Sequence, residues 1–202
     1  LPALPIDKGN AGPGLMTQVV IDKYVYHIPL DRQRKKFKNE YSIDFSVSWF
    51  CNLVENTVFW IAPLFDGYKK RLLKSTYICA DETPVPVLTK DKKGKTHRGY
   101  FRVYYDPLNK ITIFDYRKSR SNNGPSEFLE TFTGTLQVDE YSGYDAIVLR
   151  NDVLRAACMD HVRRKFEAAL SNDRARAAHA LDTMRHWYKV ESEARENLLK
   201  TI

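Results

Sequence analysis

At 202 residues, 43% of them hydrophobic and 28% charged, the chain can bury a full core and is not disordered, and one main domain with a smaller appendage is the natural expectation. A net charge of +7 favours a polyanionic partner. The longest nearly apolar run, 57–65, is far too short to cross a bilayer, and three scattered cysteines without a CxxC pair argue against a disulfide framework and for a reducing compartment.

The charge is uneven. Residues 1–76 carry 11 basic against 7 acidic groups and 151–202 carry 10 against 8, while 77–150 carry 11 against 10. Basic flanks around a balanced centre suit a protein that grips phosphates outside and holds cations inside. The sequence starts at Leu1 with neither an initiator methionine nor a basic leader, so it reads as a soluble piece of a longer chain.

Residues 1–14, rich in proline and glycine, read as a lead-in linker. Leu15, Met16, Val19, Val20, Tyr24 and Ile28 then recur at helical steps until Pro29. Arg32, Arg34, Lys35, Lys36 and Lys38 follow, either as a solvated helix face or as phosphate contacts. Ser46 is a suitable N-cap for a long helix carrying Val47, Phe50, Val54, Val58, Ile61, Phe65, Tyr68 and Leu72, which Pro63 should kink. Helix, turn and helix give 15–76 the outline of a helix-turn-helix, although helical hairpins that merely pack are commoner.

Strands follow at 77–80, 99–105 and 111–115, separated by a polar turn at 90–95 and by Asp106-Pro107-Leu108-Asn109. A basic loop with Arg117, Lys118 and Arg120 leads to a short helix over 125–132. A strand at 136–139, the segment 141–144 and a fifth strand at 153–158 come next, with helices beyond His161 to the end of the chain. The order βββαβ(α)βα implies an α/β fold with a mixed sheet: a core over 77–170, a helical region before it and a helical segment over 171–202.

Two strands end on acids, Ile78-Cys79-Ala80-Asp81 and Leu136-Gln137-Val138-Asp139. Carboxylates delivered from neighbouring strands can share a hard divalent cation, and a pair of such ions can clamp both the attacking and the leaving oxygen of a phosphoryl displacement. Each aspartate alone is more simply an acid opening a turn. Glu82 should point to the opposite face from Asp81. His161 could brace the following helix or sit near a scissile phosphate, and the Cys158 to His161 stretch makes at most half of a zinc site. The absence of GxGxxG, P-loop and GxSxG motifs removes nucleotide-fuelled and serine-hydrolase readings.

The stretch Asp81-Glu82-Thr83-Pro84-Val85-Pro86-Val87-Leu88, the strand from Gly99 to Tyr104, Leu136 to Asp139 with Tyr141 to Tyr144, and Ala156 to His161 with Arg163-Arg164-Lys165-Phe166 together resemble the transposases of the insertion sequence sixty-six family. Leu4-Pro5-Ile6, Lys8-Gly9 and residues 24–34 resemble that family too. The resemblance implies a DDE transposase with a ribonuclease-H-like core (βββαβαβα) that uses two Mg2+ or Mn2+ ions to cleave transposon ends and join them to target DNA. It makes Asp81 and Asp139 the first two acids and metal ligands. The spacing from Cys158 to His161 is similar to a CxxH motif of several DDE groups, which adds His161 to the catalytic set.

DNA contacts are expected from Arg32, Arg34, Lys35, Lys36, Arg117, Lys118, Arg120, Arg163, Arg164 and Lys165. The implied partners are terminal repeats and target DNA, with no membrane, a homo-oligomer in the synaptic complex and accessory proteins of the element. The implied location is the bacterial cytoplasm, at the nucleoid. Glu140 stands where the family usually has glycine, and Arg102 where it commonly has tryptophan. The family's third acid lies in an Asp-Asn-Asn-x-x-Glu-Asn-type segment that does not occur through Ile202; Glu167, Glu191, Glu193 and Glu196 lack that context. A truncated, catalytically crippled piece is therefore expected, with a DNA-binding remnant or a ribonuclease-H-like nuclease as the alternatives.

Overall fold

The computed structural model describes Ile6 and residues 9–89, 94–120 and 123–199. Residues 1–5, 7 and 8 of the expected lead-in, the polar turn over 90–93 and Ser121 and Asn122 of the basic loop lie outside the described residues. The chain divides into two compact units, 1–69 and 70–202.

In the first unit, α1 (Pro13–Tyr24) starts with a proline at its first turn, where a missing N–H costs nothing. It is followed by α2 (Leu30–Tyr41) and α3 (Val47–Leu72), of which residues 70–72 fall in the second unit. The three meet in one apolar cluster of Met16, Val19, Phe50, Leu53 and Val54, with Phe37 and Trp49 packed against it. The connection between α1 and α2 is tied by the buried Gln33, which donates to the carbonyls of Val19 (3.2 Å) and Ile28 (3.1 Å). Ser46 caps α3 by accepting from the Trp49 N–H at 3.1 Å, as its position implied.

The second unit holds a five-stranded mixed sheet of order β3-β2-β1-β4-β5. β1 (Tyr77–Leu88), β2 (Thr96–Asp106) and β3 (Ile111–Arg117) form an antiparallel meander. β4 (Gly134–Val138) and β5 (Val153–Ala157) run parallel to β1 on its other side. Alternation buries Ile78, Ala80, Tyr104, Ile113, Leu136 and Val138 on one face. There α4 (Asn123–Phe128) and the turn after it supply Phe128, Leu129 and Phe132, with the Phe128 ring stacked on Tyr104 at 4.0 Å. A 3-10 turn at Ser142–Tyr144 and α5 (Asp145–Val148) add Tyr144 and Ile147, and α6 (Met159–Ala169) and α7 (Arg174–Leu199) close the unit. Asp173 starts α7 by accepting from the Arg176 N–H at 3.2 Å.

Three expectations need correction. Asp81 lies in mid-strand, because β2 pairs with β1 all the way to Leu88 and so carries the strand past the acid. The short helix begins at Asn123 and ends at Phe128, and Leu129 and Phe132 continue it as a turn. The helix after β5 begins at Met159, two residues before His161, because Cys158 has extended backbone and its carbonyl accepts from the His161 and Val162 N–H groups. His161 therefore sits in the first turn of α6.

Candidate metal centre

Register places the two aspartates. β1 and β4 pair in parallel as Tyr77↔Thr135, Ile78↔Leu136 and Cys79↔Gln137, so two residues further on Asp81 and Asp139 come opposite one another on the face that does not carry the core. β4 starts at Gly134, whose φ of +127° is open to glycine and strained for other residues. A Cβ there would stand 2.5 Å from the Thr76 carbonyl oxygen, which accepts from the Thr135 N–H at 2.9 Å.

β5 and the start of α6 bring His161 to the same point. One ligand atom from each of Asp81, Asp139 and His161 lies within 4.8 Å of the others. His161 Nε2 is 3.9 Å from Asp81 Oδ1, and its Nδ1 is buried with no hydrogen-bond partner among the described residues. Asp81 Oδ1 accepts from the Glu82 N–H at 2.8 Å and Asp139 Oδ1 from the Tyr141 N–H at 3.0 Å. Each aspartate thus has its first oxygen fixed by backbone and its second unpartnered among the described residues. Two carboxylate oxygens at this spacing, with the His161 imidazole beside them, suit a divalent cation. No glutamate belongs to the group among the described residues: Glu167 pairs with Arg163 and Glu193 with Lys189.

Glu82 points away from Asp81, as alternation requires. Its side chain is 6% exposed and takes two arginines: Arg102 Nε at 3.1 Å on Oε2 and Arg120 Nε at 2.6 Å on Oε1. Arg102 is wholly buried, under Gly124, where an added Cβ would meet its Nη1 at 2.0 Å. Arg120 lies over the Tyr141 ring at 4.0 Å, and the Tyr141 hydroxyl donates back to the Arg120 carbonyl. Tyr141 is the residue whose N–H fixes Asp139. A braced charge network thus runs beneath the site from one aspartate to the other.

A cleft of about 920 Å³ opens beside Asp139 and His161 and reaches Arg155, Arg164 and Lys165. Arg155 donates to the Asp139 carbonyl at 2.7 Å and to Asp145 at 2.9 Å. Sequence reasoning missed it; the signal was a lone charge inside the short apolar run Val153-Leu154-Arg155-Ala156-Ala157. Glu140 turns to Lys165, whose ammonium holds its carboxyl below the ordinary carboxylate range. The Tyr188 hydroxyl on α7 donates to Asp160 at 2.7 Å and anchors α6 next to His161; burial and that bond push Tyr188 up to about 12.

Of the cations assigned to DNA, six are paired with carboxylates: Arg34 with Asp31 and Asp44, Lys35 with Asp31, Arg117 with Asp115 and Glu127, Arg120 with Glu82, Arg163 with Glu167 and Lys165 with Glu140. Arg32, Lys36, Lys118 and Arg164 are exposed and have no carboxylate partner among the described residues. No helix among the described residues is long and apolar enough to cross a membrane.

Three proteins of Sinorhizobium fredii (strain NBRC 101917 / NGR234) are similar in sequence. The uncharacterized protein y4hP is 29% identical over 79% of this chain and 30% of its own length. The uncharacterized proteins y4jD and y4qI are 26% and 25% identical over 96% of this chain and over 40% and 38% of their own lengths. The chain thus spans well under half the length of these relatives. The model of the IS66 transposase family matches residues 8–201, the whole of both units but for the first few residues and the last. With paired acids on adjoining strands and that match over nearly its full length, the chain belongs to the IS66 family of transposases.

Proposed function

We propose that this chain is the part of a DDE transposase of a bacterial insertion sequence that carries its first two metal-ligating acids, Asp81 and Asp139. One observation carries the reading: two aspartates remote in sequence are brought by adjoining parallel strands to a shared point with His161. The strand order, with an antiparallel meander joined to two parallel strands, supports a ribonuclease-H-like core.

Asp81 and Asp139 would hold Mg2+ or Mn2+ through their second oxygens. The cation supplies Lewis acidity and neutralises charge at a phosphoryl group. His161 donates to a phosphate oxygen from the first turn of α6, and Arg155 keeps Asp139 at the rim of the cleft. Arg32, Lys36, Lys118 and Arg164 take backbone phosphates of the terminal repeat and target, supported by the paired cations beside them. The chain alone, with two acids of three, binds DNA and metal but does not turn over.

Titration of the 202-residue chain with Mn2+, read by electron paramagnetic resonance, tests the assignment. Saturable binding that disappears in both Asp81→Asn and Asp139→Asn, with unchanged circular dichroism, is expected. Binding that survives in either variant would end it.

A further inference from the structure

Among the described residues, the second half of α3 is the most anomalous surface. Val58, Phe59, Trp60, Ile61, Leu64, Phe65 and Tyr68 are each 44–72% exposed. A helix apolar round most of its girth is ordinarily buried, and a contiguous apolar patch marks an interaction surface. Val58, Ile61, Phe65 and Tyr68 follow one another at steps of three, four and three, the a and d spacing of a heptad.

We propose that this seam pairs antiparallel with the same seam of a second copy of the chain, forming a two-fold dimer. Side-chain size selects the direction. Antiparallel pairing sets Val58 opposite Tyr68 and Ile61 opposite Phe65, each layer recurring across the two-fold, so a β-branched residue faces an aromatic one everywhere. Parallel pairing would stack Phe65 on Phe65 and Tyr68 on Tyr68 and leave Val58 against Val58, overfilling some layers and underfilling another.

Charge selects the same direction. Lys69, Lys70 and Arg71 follow the seam, and a parallel pair would press two such triplets together. In the antiparallel pair the flanking e positions place Glu55 beside Lys69 of the second copy, twice, and the g position sets Leu64 against its own symmetry mate. Pro63 falls at f, on the side away from the partner, where the hydrogen bond that a helix loses at proline does not disturb the contact.

Sedimentation equilibrium of the 202-residue chain tests the proposal, with a dimer expected. Ile61→Glu and Phe65→Glu should sediment as monomers with unchanged circular dichroism, whereas Phe59→Glu, at an outward b position, should stay dimeric. With Cys51, Cys79 and Cys158 changed to serine, Leu64→Cys should oxidise to a covalent dimer and Val58→Cys should not. A chain that is monomeric throughout, an unaffected Ile61→Glu dimer, or crosslinking through Val58→Cys in place of Leu64→Cys would overturn it.

Discussion

Replacing Glu82 with glutamine isolates the charge brace under the candidate metal centre. The substitution keeps the size and hydrogen-bonding reach of the side chain but removes the carboxylate charge that pairs with Arg102, whose guanidinium has no contact with solvent. Arg120, half exposed, can turn to water; Arg102 cannot. Removing one partner of a buried pair costs about 3–5 kcal/mol, because the other charge stays buried without it. Against the roughly 5–15 kcal/mol that holds a domain together, this is a large fraction. It corresponds to a fall in Tm on the order of 10 °C for a unit of this size. Urea unfolding followed by far-ultraviolet circular dichroism measures it. The double variant Glu82→Leu with Arg102→Met removes both charges and should lie much closer to the parent, since an apolar pair of similar volume is often neutral or better. A loss in Glu82→Gln below about 1 kcal/mol, in the range of an exposed ion pair, would mean that the pair is not a buried brace.

Gly134→Ala should cost about 1–3 kcal/mol from backbone conformation alone, with further loss from the contact with the Thr76 carbonyl. Because Gly134 directly precedes the first β1–β4 pair, Tyr77↔Thr135, Mn2+ affinity measured on the folded fraction should fall as well. Burial raises the carboxyl of Asp106, but bonds from the Asn109 side chain and the Asn109 and Leu108 N–H groups outweigh it and hold the group below its ordinary 3.8. A depressed folded pKa gives stability that is present above 3.8 and lost as pH falls through the folded value. Thermal unfolding across the acid range should therefore show an acid limb that Asp106→Asn reduces. In DNA binding followed against salt, Arg164→Ala and Lys118→Ala should each lower the slope by about one unit and weaken all sequences alike.

The meander and the parity of the two aspartates were legible in the sequence, because alternation in short strands fixes which side chains share a face. The full length of β1 was not. Pro84 and Pro86 argue locally against a continuing strand, and only pairing with β2, supplied from beyond a turn, overrides them. The start of α6 was hidden for a related reason, since Val153 to Cys158 reads as one extended run and the change at Met159 shows only in backbone bonds to the Cys158 carbonyl. The charge of Glu82 was visible, but not its burial: Arg102 and Arg120 reach it from 20 and 38 residues away. On α3 the three-and-four spacing was plain, while its exposure depends on what the rest of the chain leaves uncovered.

β1 parts from β4 after Cys79 but stays with β2 to Leu88, so beyond the fork one rim of β1 has no strand beside it among the described residues. The Thr76 carbonyl reaches toward β4, and the Glu82 N–H is taken by Asp81 Oδ1, so even-numbered residues aim their backbone groups at that bare rim. Pro84 and Pro86 occupy two of those positions and have no N–H to offer. The opening beside Asp81 is thereby made a poor template for a stray strand from another molecule, which guards that rim against cross-β aggregation.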